Sequence, residues 1–193
     1  PAATVLFGSS NGTTPGIAHL RWGRGTFANV RPVRWRPGYR SPLRQPEQLD
    51  YVIVRENLED AYVGIMGDAE DLRAAGLIGP RARLSWTGEA RYAAKVITRA
   101  GTERVAHFSF DLARRRAAAS GRPASLTVSA KTNMLPATDR FFCDVVAEVG
   151  AQASAGIELQ YVLMAPILAV PKVLKKEGIS LADIDIFEIN EAF

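Results

Sequence analysis

The stretch LDYVIVRENLEDAY, residues 49–62, constrains the fold more than any other part of the chain. Its residues 52–54 form a short β-branched run, which is typical of a buried β-strand. The run leads directly into a cation, a carboxylate and an amide, and Tyr62 follows seven residues after Arg55. A strand that ends in this way predicts a sheet edge at which polar side chains gather.

Strand-like and helix-like patterns alternate along the rest of the chain. The strand patterns lie at residues 4–8, 27–35, 51–55, 93–98, 125–130 and 183–189. The helix patterns lie at residues 67–77, 102–118, 137–149 and 164–178, with Pro171 interrupting the last. We expect Asp68 to cap the first helix, Thr138 or Asp139 to cap the third, and one face of the second to carry Val105, Phe108 and Leu112. This order predicts an α/β fold, a layered sheet with flanking helices. Pro32 restricts the second strand to a sheet edge or a bulge.

The cysteine and hydropathy patterns exclude several classes of protein. Cys143 is the single cysteine, so the chain cannot form an internal disulfide framework, and we expect it to be a core residue on an apolar helix face. No apolar run approaches the ~20 residues that cross a bilayer. We therefore expect a cytoplasmic protein without a membrane partner. The two histidines and the cysteine are widely spaced, so we expect no zinc site of the usual kind.

The charge changes abruptly along the chain. Residues 1–150 contain 19 Arg and 2 Lys against 14 acidic residues, a balance of +7, whereas residues 151–193 contain no Arg and 3 Lys against 6, a balance of −3. Small residues of linker composition, VGAQASAGIE, lie at the change. We predict two segments, 1–150 and 151–193. The basic residues are dispersed among acidic ones, so we do not expect a nucleic-acid partner.

Cationic and amide side chains follow several of the strand patterns. Arg21 and Arg31 lie ten residues apart, Arg55 ends one strand, and Lys131 with Asn133 ends another. Loops at strand carboxyl ends are the usual ligand sites of α/β folds, and guanidinium groups grip carboxylates with two hydrogen bonds each. These residues favour a site for a di- or tricarboxylate. From spacing alone, solvated arginines, an exposed lysine and a strand-edge tyrosine are equally open alternatives.

Three motifs together resemble one enzyme family. LRWGRGTFANVRPVRWRPGYRSPL, LDYVIVRENLEDAYVGI and SAKTNML are similar, in order and spacing, to the β-decarboxylating isocitrate and isopropylmalate dehydrogenases. The resemblance covers residues ~4–149. It implies an isopropylmalate-dehydrogenase-like partial fold and the NAD- or NADP-dependent oxidative decarboxylation of an isocitrate-like 2-hydroxy acid, with Mg²⁺ or Mn²⁺.

The resemblance also implies roles for particular residues. The substrate carboxylates are expected to bind Arg21, Arg31 and Arg55. Lys131 is expected to take the proton of the hydroxyl group, and Tyr62 to deliver a proton to the enol carbon. Asn133 matches a residue near the nicotinamide. The counterpart of Lys131 acts in the partner subunit's site, so the resemblance implies a homodimer.

The chain departs from the family pattern at two levels. Pro15 and Ile17 stand where the isocitrate pattern has Ser and Asn, so a related 2-hydroxy acid is equally open as the substrate. The metal-binding aspartates and the nucleotide loop lie further downstream in the family. We therefore expect this chain to lack both and to be incomplete as an enzyme, with no metal ligands of its own.

The end of the chain resembles a different family. APILAVPKVLKKEGISLADIDIFEINEAF is similar to the thiolases, and Asn190 of its NEAF motif matches a residue that helps form an oxyanion hole. The nucleophilic cysteine and the other thiolase catalytic residues have no counterpart. A thiolase-related acyltransferase fragment and a non-catalytic binding protein are therefore the alternatives to a dehydrogenase.

Overall fold

A computed structural model describes residues 15–80, 82, 85–153 and 157–161. The chain divides into two compact units, Pro1–Val96 and Ile97–Phe193. The strands predicted at 4–8 and 183–189 and the helix predicted at 164–178 lie outside the described residues.

The first unit consists of short elements. They are α1 (Pro15–Ala18), a π-helical turn (His19–Gly23), β1 (Ala28–Arg34), a 3-10 turn (Pro46–Gln48), β2 (Asp50–Glu56), β3 (Met66–Asp68), α2 (Ala69–Ala74) and β4 (Arg91–Ala93). β1 pairs with β2, and β3 pairs with β4, both antiparallel. The described strands of the chain thus pair two by two, whereas we expected one layered sheet.

The β1–β2 hairpin carries most of the predicted site. Its register runs from Ala28 opposite Glu56 to Arg34 opposite Asp50, and Arg34 Nε donates to Asp50 Oδ1 at 2.9 Å. Pro32 lies within β1, which has a described partner on one side only. Among the described strands β1 therefore lies at a sheet edge, one of the two places that Pro32 allows.

The expectation that β2 is a buried strand is wrong. Tyr51 is 48% exposed and Ile53 46% exposed, while Val52 and Val54 are half-buried. A two-stranded ribbon cannot cover both of its faces, so the β-branched run gains strand geometry without full burial. A run of this kind indicates a strand, but it does not reveal how many neighbours the strand has.

The predicted start of α2 is correct, whereas the predicted position of the next strand is not. The helix begins after Asp68, as predicted, but the Asp68 side chain makes no capping hydrogen bond and pairs instead with Arg91 on the adjacent strand. The strand predicted at 93–98 is displaced, since β4 ends at Ala93 and Val96 forms only an isolated bridge with Asp60.

The second unit is built on longer helices. Its elements are α3 (Arg99–Ser120), β5 (Ala124–Val128), a π-helical segment (Pro136–Arg140), α4 (Phe141–Ala153) and β6 (Ile157–Tyr161). β5 and β6 are parallel and α4 connects them, which makes a βαβ unit. α4 continues through residue 150, where the composition changes. The division into segments 1–150 and 151–193 stays a prediction.

α3 has clear signals at both ends. The Thr98 hydroxyl accepts a hydrogen bond from the Gly101 amide at 3.0 Å, as expected of an N-cap residue. At the other end Gly121 adopts φ +68°, and its amide donates to the Ala117 carbonyl. Glycine takes this left-handed conformation without a steric cost, so the helix stops there.

The core of the second unit lies where α3 and α4 meet β5. It contains Ala106, Phe110, Val128, Cys143, Val146 and Val149. Burial of Cys143 and Val105 confirms two predicted core positions. Phe108 and Leu112 are only half-buried, however, and Phe110 is 1% exposed, because the buried stripe passes through Thr102 and Ala106. No helix in the described part of the chain combines the length and apolar character needed to cross a membrane.

An ion pair joins the two helices. Arg99 in the first turn of α3 donates to Glu148 on α4 at 2.6 Å. This hydrogen bond and the charge of Arg99 lower the pKa of Glu148, and Glu148 in turn raises the pKa of Arg99. A cation near a helix N-terminus is unfavourable by itself, so the pairing offsets that penalty.

We predict that Phe110→Ala lowers the free energy of unfolding by about 3–5 kcal/mol, because it leaves a cavity among side chains that are already fully buried. Urea unfolding followed by circular dichroism measures the loss. Met134→Ala is the matched control, since Met134 is 52% exposed, and its effect should stay below about 0.5 kcal/mol. Equal effects of the two substitutions would contradict the placement of the core.

The Cys143 thiol gives a second prediction. Burial raises its pKa above the usual 9.0, and the charges of Asp139 and Asp144 raise it further. The stabilisation from this raised pKa is complete below the unfolded pKa and is lost as the pH rises through the folded pKa. The free energy of unfolding should therefore fall more steeply above pH 9.0 in the native chain than in Cys143→Ala. Urea titrations across this pH range test it, and parallel curves would contradict it.

Candidate functional site

The Tyr62 ring lies against two guanidinium groups. The Cζ atom of Arg21 is 4.7 Å from the ring centroid, and that of Arg55 is 4.9 Å from it. Arg21 also lies 5.3 Å from the centroid of the Trp22 ring. Tyr62 itself is 47% exposed, so the cluster is open to solvent. The structure therefore brings together three of the residues that the sequence predicted for one site.

Asn57 holds Arg21 in this cluster. Arg21 Nε donates to the Asn57 carbonyl oxygen at 2.5 Å, and Arg21 Nη2 donates to Asn57 Oδ1 at 2.9 Å. Asn57 Nδ2 donates to the Thr26 carbonyl at 3.0 Å, and the Asn57 amide donates to the Phe27 carbonyl at 2.8 Å. A guanidinium can only donate and a carbonyl can only accept, so these partners dictate the orientation of the amide.

The turn after β2 carries the chain from Asn57 to Tyr62. The Glu56 carboxylate accepts hydrogen bonds from the amides of Leu58 and Glu59, the shortest at 2.7 Å. Asp60 has φ +69°, a left-handed conformation that Asp tolerates better than most residues, and its carboxylate accepts from the Ala61 amide at 2.7 Å. The polar residues after the β-branched run thus build the turn that brings Tyr62 alongside Arg55.

Arg31 lies on the same face of the hairpin as Arg55. In the register Asn29 is opposite Arg55, and Arg31 follows two residues later on β1, so all three side chains leave the same face. Arg31 Nε donates to Asn29 Oδ1 at 3.2 Å, and Arg31 is exposed. Residues diagonal to one another across a strand pair lie ~7–8 Å apart, within reach of long side chains. Arg31 thus lies diagonal to Arg55 on this face of the hairpin.

The charge of this cluster suits a polyanion. Two guanidinium groups near one ring repel each other, and the negative face of a phenol offsets only part of that repulsion, about 0.5–1 kcal/mol for each exposed contact. A ligand with several carboxylates would supply the missing negative charge. Arginine forks bind carboxylates with parallel, charge-assisted hydrogen bonds. The arrangement is therefore able to bind a small di- or tricarboxylate.

Lys131 and Asn133 lie in the second unit, in the turn after β5. The Lys131 amide donates to Asp139 Oδ1 at 2.7 Å, and its carbonyl accepts from the Leu135 amide at 2.9 Å. Asp139 is 5% exposed, and its other oxygen accepts from the Thr138 hydroxyl at 2.9 Å. A buried carboxylate thus fixes the backbone that carries Lys131, while Asn133 is exposed.

A cavity of about 470 Å³ lies elsewhere in the first unit, beside α2 and β4. Its lining includes four carboxylates, those of Asp68, Glu70, Asp71 and Glu89. Trp86, which also lines it, has Arg73 at 4.6 Å from a ring centroid. The surplus of negative charge does not suit a carboxylate ligand, so we place the candidate site at the more open Tyr62 cluster.

Sequence reasoning missed the roles of two residues in these arrangements. Asn57 was noticed only as part of the Arg-Glu-Asn run, and its partner Arg21 lies 36 residues earlier in the chain. Asp139 was predicted, as an alternative to Thr138, to cap a helix, whereas its carboxylate accepts a hydrogen bond from the Lys131 amide. Both contacts depend on tertiary structure, and neither has a local signal beyond the presence of a short polar side chain.

Comparison with known proteins defines the class of protein. A family model described as isocitrate/isopropylmalate dehydrogenase matches residues 4–178. The 3-isopropylmalate/3-methylmalate dehydrogenase of Methanocaldococcus jannaschii is 34% identical over 149 residues, which cover 77% of this chain and 38% of that protein. The NADP isocitrate dehydrogenase of Archaeoglobus fulgidus is 31% identical over 129 residues, 65% of this chain and 30% of the relative.

Solved structures have the same fold. Isocitrate dehydrogenase from Methylococcus capsulatus superposes with a TM-score of 0.58 at 24% identity, covering 93% of this chain and 45% of that one. The TT0538 protein from Thermus thermophilus gives a TM-score of 0.58 at 27% identity, covering 90% and 30%. These matches support the predicted α/β class. The chain belongs to the isocitrate/isopropylmalate dehydrogenase family, and it spans 38% of the length of the Methanocaldococcus relative.

The family match also extends further than the expected limit. It continues past Val149 to residue 178, into the segment for which a thiolase resemblance was predicted. None of the relatives named above is a thiolase. Asn190, the predicted oxyanion-hole residue, lies outside the described residues.

We predict that Asp139→Ala lowers the free energy of unfolding by about 1–3 kcal/mol, because the Lys131 amide and the Thr138 hydroxyl lose their buried acceptor. It should also shift the amide resonance of Lys131. Asp144→Ala is the control, since Asp144 is an exposed carboxylate on α4, which directly follows the segment that carries Asp139. It should cost less than about 1 kcal/mol. An unchanged Lys131 resonance in Asp139→Ala would contradict the assigned contact.

Proposed function

We propose that this chain provides the carboxylate-binding and proton-transfer residues for the NAD- or NADP-dependent oxidative decarboxylation of a 2-hydroxy di- or tricarboxylate. One observation carries the proposal. Arg21 and Arg55 both lie within 5 Å of the Tyr62 ring centroid, on a scaffold that also presents Arg31. Two cations around an exposed phenol contribute little to the stability of the fold. They suit the binding of an anion, with the phenol placed to protonate its product.

Each predicted site residue of the first unit has a role in this proposal. Arg21, Arg31 and Arg55 bind the carboxylates. They also orient them, because the fixed N–H donors of a guanidinium form two hydrogen bonds only with a carboxylate in a suitable orientation. Tyr62 gives its phenol proton to the enol carbon after carbon dioxide leaves.

The second unit supplies the earlier step. Lys131 takes the proton of the substrate hydroxyl, and the buried Asp139 fixes the backbone from which it acts. Asn133, exposed in the same turn, contacts the nicotinamide, and the nucleotide accepts the hydride when it is bound. A homodimer belongs to the proposal, because the resemblance places Lys131 in the partner subunit's site.

The implied Mg²⁺ or Mn²⁺ does not fit the described residues. Among residues 15–80, 82, 85–153 and 157–161, no group of three or more His, Cys, Asp or Glu side chains could hold a metal ion. We therefore assign no metal-dependent step to them. The segments described here act on the substrate's carboxylates and protons.

The side chain four residues before Arg21 bears on the choice of substrate. Ile17, where the isocitrate pattern has Asn, lies four residues before Arg21 and is 42% exposed. An apolar side chain at this position favours a 2-hydroxy acid with an apolar substituent over a third carboxylate. Of the three compounds named for the relatives, 3-isopropylmalate and 3-methylmalate match better than isocitrate, and 3-isopropylmalate has the larger apolar substituent.

We predict that calorimetric titration detects binding of 3-isopropylmalate, and that Arg21→Lys and Arg55→Lys each weaken it by about 10-fold or more. Lysine keeps the charge but loses the two-pronged hydrogen bonding of the fork. Isocitrate should bind less tightly than 3-isopropylmalate.

Arg34→Lys is the matched control, since Arg34 is on the opposite face of the hairpin and pairs with Asp50. It should leave the affinity unchanged. Absence of binding to both acids, or an equal loss of affinity in all three variants, would contradict the proposal.

The alternatives retain no comparable support. The thiolase-related reading rests on Asn190 and its surroundings, which lie outside the described residues. A non-catalytic protein that binds nucleic acid or another anionic partner through its arginines would require a surface of concentrated positive charge. Along α3, Arg114 and Arg115 are instead paired with Asp111.

A further inference from the structure

We propose that Asn57 is the positioning residue that sets the direction of the Arg21 guanidinium for ligand binding. This inference rests on the proposed function and extends it to a residue that would not touch the substrate. Asn57 follows β2 directly, two residues after Arg55. It is therefore placed to transmit the position of one arginine to the other.

The geometry around Asn57 supports this role. Arg21 uses Nε and Nη2 on the carbonyl and side-chain oxygens of this single residue, at 2.5 and 2.9 Å. Two bonds to one rigid partner fix both the position and the rotation of the guanidinium plane. Nη1 and the second N–H of Nη2 take no part in this contact, so together they form the edge that can meet a carboxylate.

The other side of the Asn57 amide fixes Asn57 itself. Its Nδ2 donates to the Thr26 carbonyl, and Thr26 lies in the turn between the π-helical segment that carries Arg21 and strand β1. The Thr26 amide in turn donates to the Arg21 carbonyl at 3.0 Å. Asn57 thus joins the backbone and the side chain of the Arg21 segment to the end of β2.

Two substitutions separate positioning from a merely structural role. Asn57→Ala removes the bond to Arg21 Nη2 and the bond to Thr26. Asn57→Asp keeps an acceptor for Arg21 but has no donor for Thr26. If Asn57 acts through Arg21, the two variants differ at Arg21. If only the link to Thr26 matters, they behave alike.

The first measurement is the rate at which phenylglyoxal modifies Arg21, followed by peptide mass without any ligand. Asn57→Ala should speed modification by about 2- to 10-fold, the effect of losing one hydrogen bond, and Asn57→Asp should keep the native rate or slow it. Arg31 should be unaffected in both. Asn29→Ala is the control, because Asn29 is a hydrogen-bond partner of Arg31 on the same face, and it should leave Arg21 unchanged.

The second measurement is a double-mutant cycle with 3-isopropylmalate as the probe. Asn57→Ala should weaken binding in the native background and have no further effect in an Arg21→Ala background. Its effect should persist in an Arg31→Ala background. A loss that persists undiminished without Arg21 would overturn the inference, as would unchanged phenylglyoxal rates or loss of the fold in both Asn57 variants.

The two proposals fail separately. If the native chain binds neither 3-isopropylmalate nor isocitrate, the proposed function is wrong, but the phenylglyoxal rates still decide whether Asn57 positions Arg21. If the native chain binds and the rates do not change, the function stands and the role of Asn57 does not.

Discussion

Two positively charged guanidinium groups share one phenol ring, and the segments around residues 21–27 and 55–62 hold them there. The π-helical turn supplies Arg21, strand β2 supplies Arg55, and the turn capped by Glu56 supplies Tyr62. The contacts with the ring are individually weak, about 0.5–1 kcal/mol, and the two cations repel each other. Such an arrangement persists only because backbone and amide hydrogen bonds fix its parts, and a polyanion would relieve its repulsion.

The two units are stabilised in different ways. α3, α4 and β5 bury a continuous apolar cluster, whereas both faces of the β1–β2 hairpin retain exposed apolar side chains. The first unit relies instead on directional contacts such as those of Asn57 and Asp60. A ligand that binds such a frame only when it is folded also stabilises it, by an amount that grows with ligand concentration. Substrate binding and folding of the hairpin are therefore expected to be coupled.

Sequence spacing predicted the proximity of Arg55 and Tyr62 better than it predicted the exposure of β2. Arg55 and Tyr62 are only seven residues apart, so the family resemblance could predict their proximity from local sequence. The structure brings the two side chains together. The β-branched run of β2 predicted a strand but not its exposure, because burial depends on neighbours that the run does not encode. Helix α3 was predicted, and Val105 is buried as expected, but the structure buries Phe110 instead of Phe108 and Leu112. A shift of two residues along a helix is enough to change the buried face.

The account requires that Arg21, Arg55 and Tyr62 respond to a ligand as one site. Nuclear magnetic resonance can follow the ring protons of Tyr62 and the Nε protons of both arginines in one titration with 3-isopropylmalate. We expect all three signals to shift together and to saturate with a single dissociation constant. Signals that stay fixed, or that shift with separate constants, would contradict a shared carboxylate site.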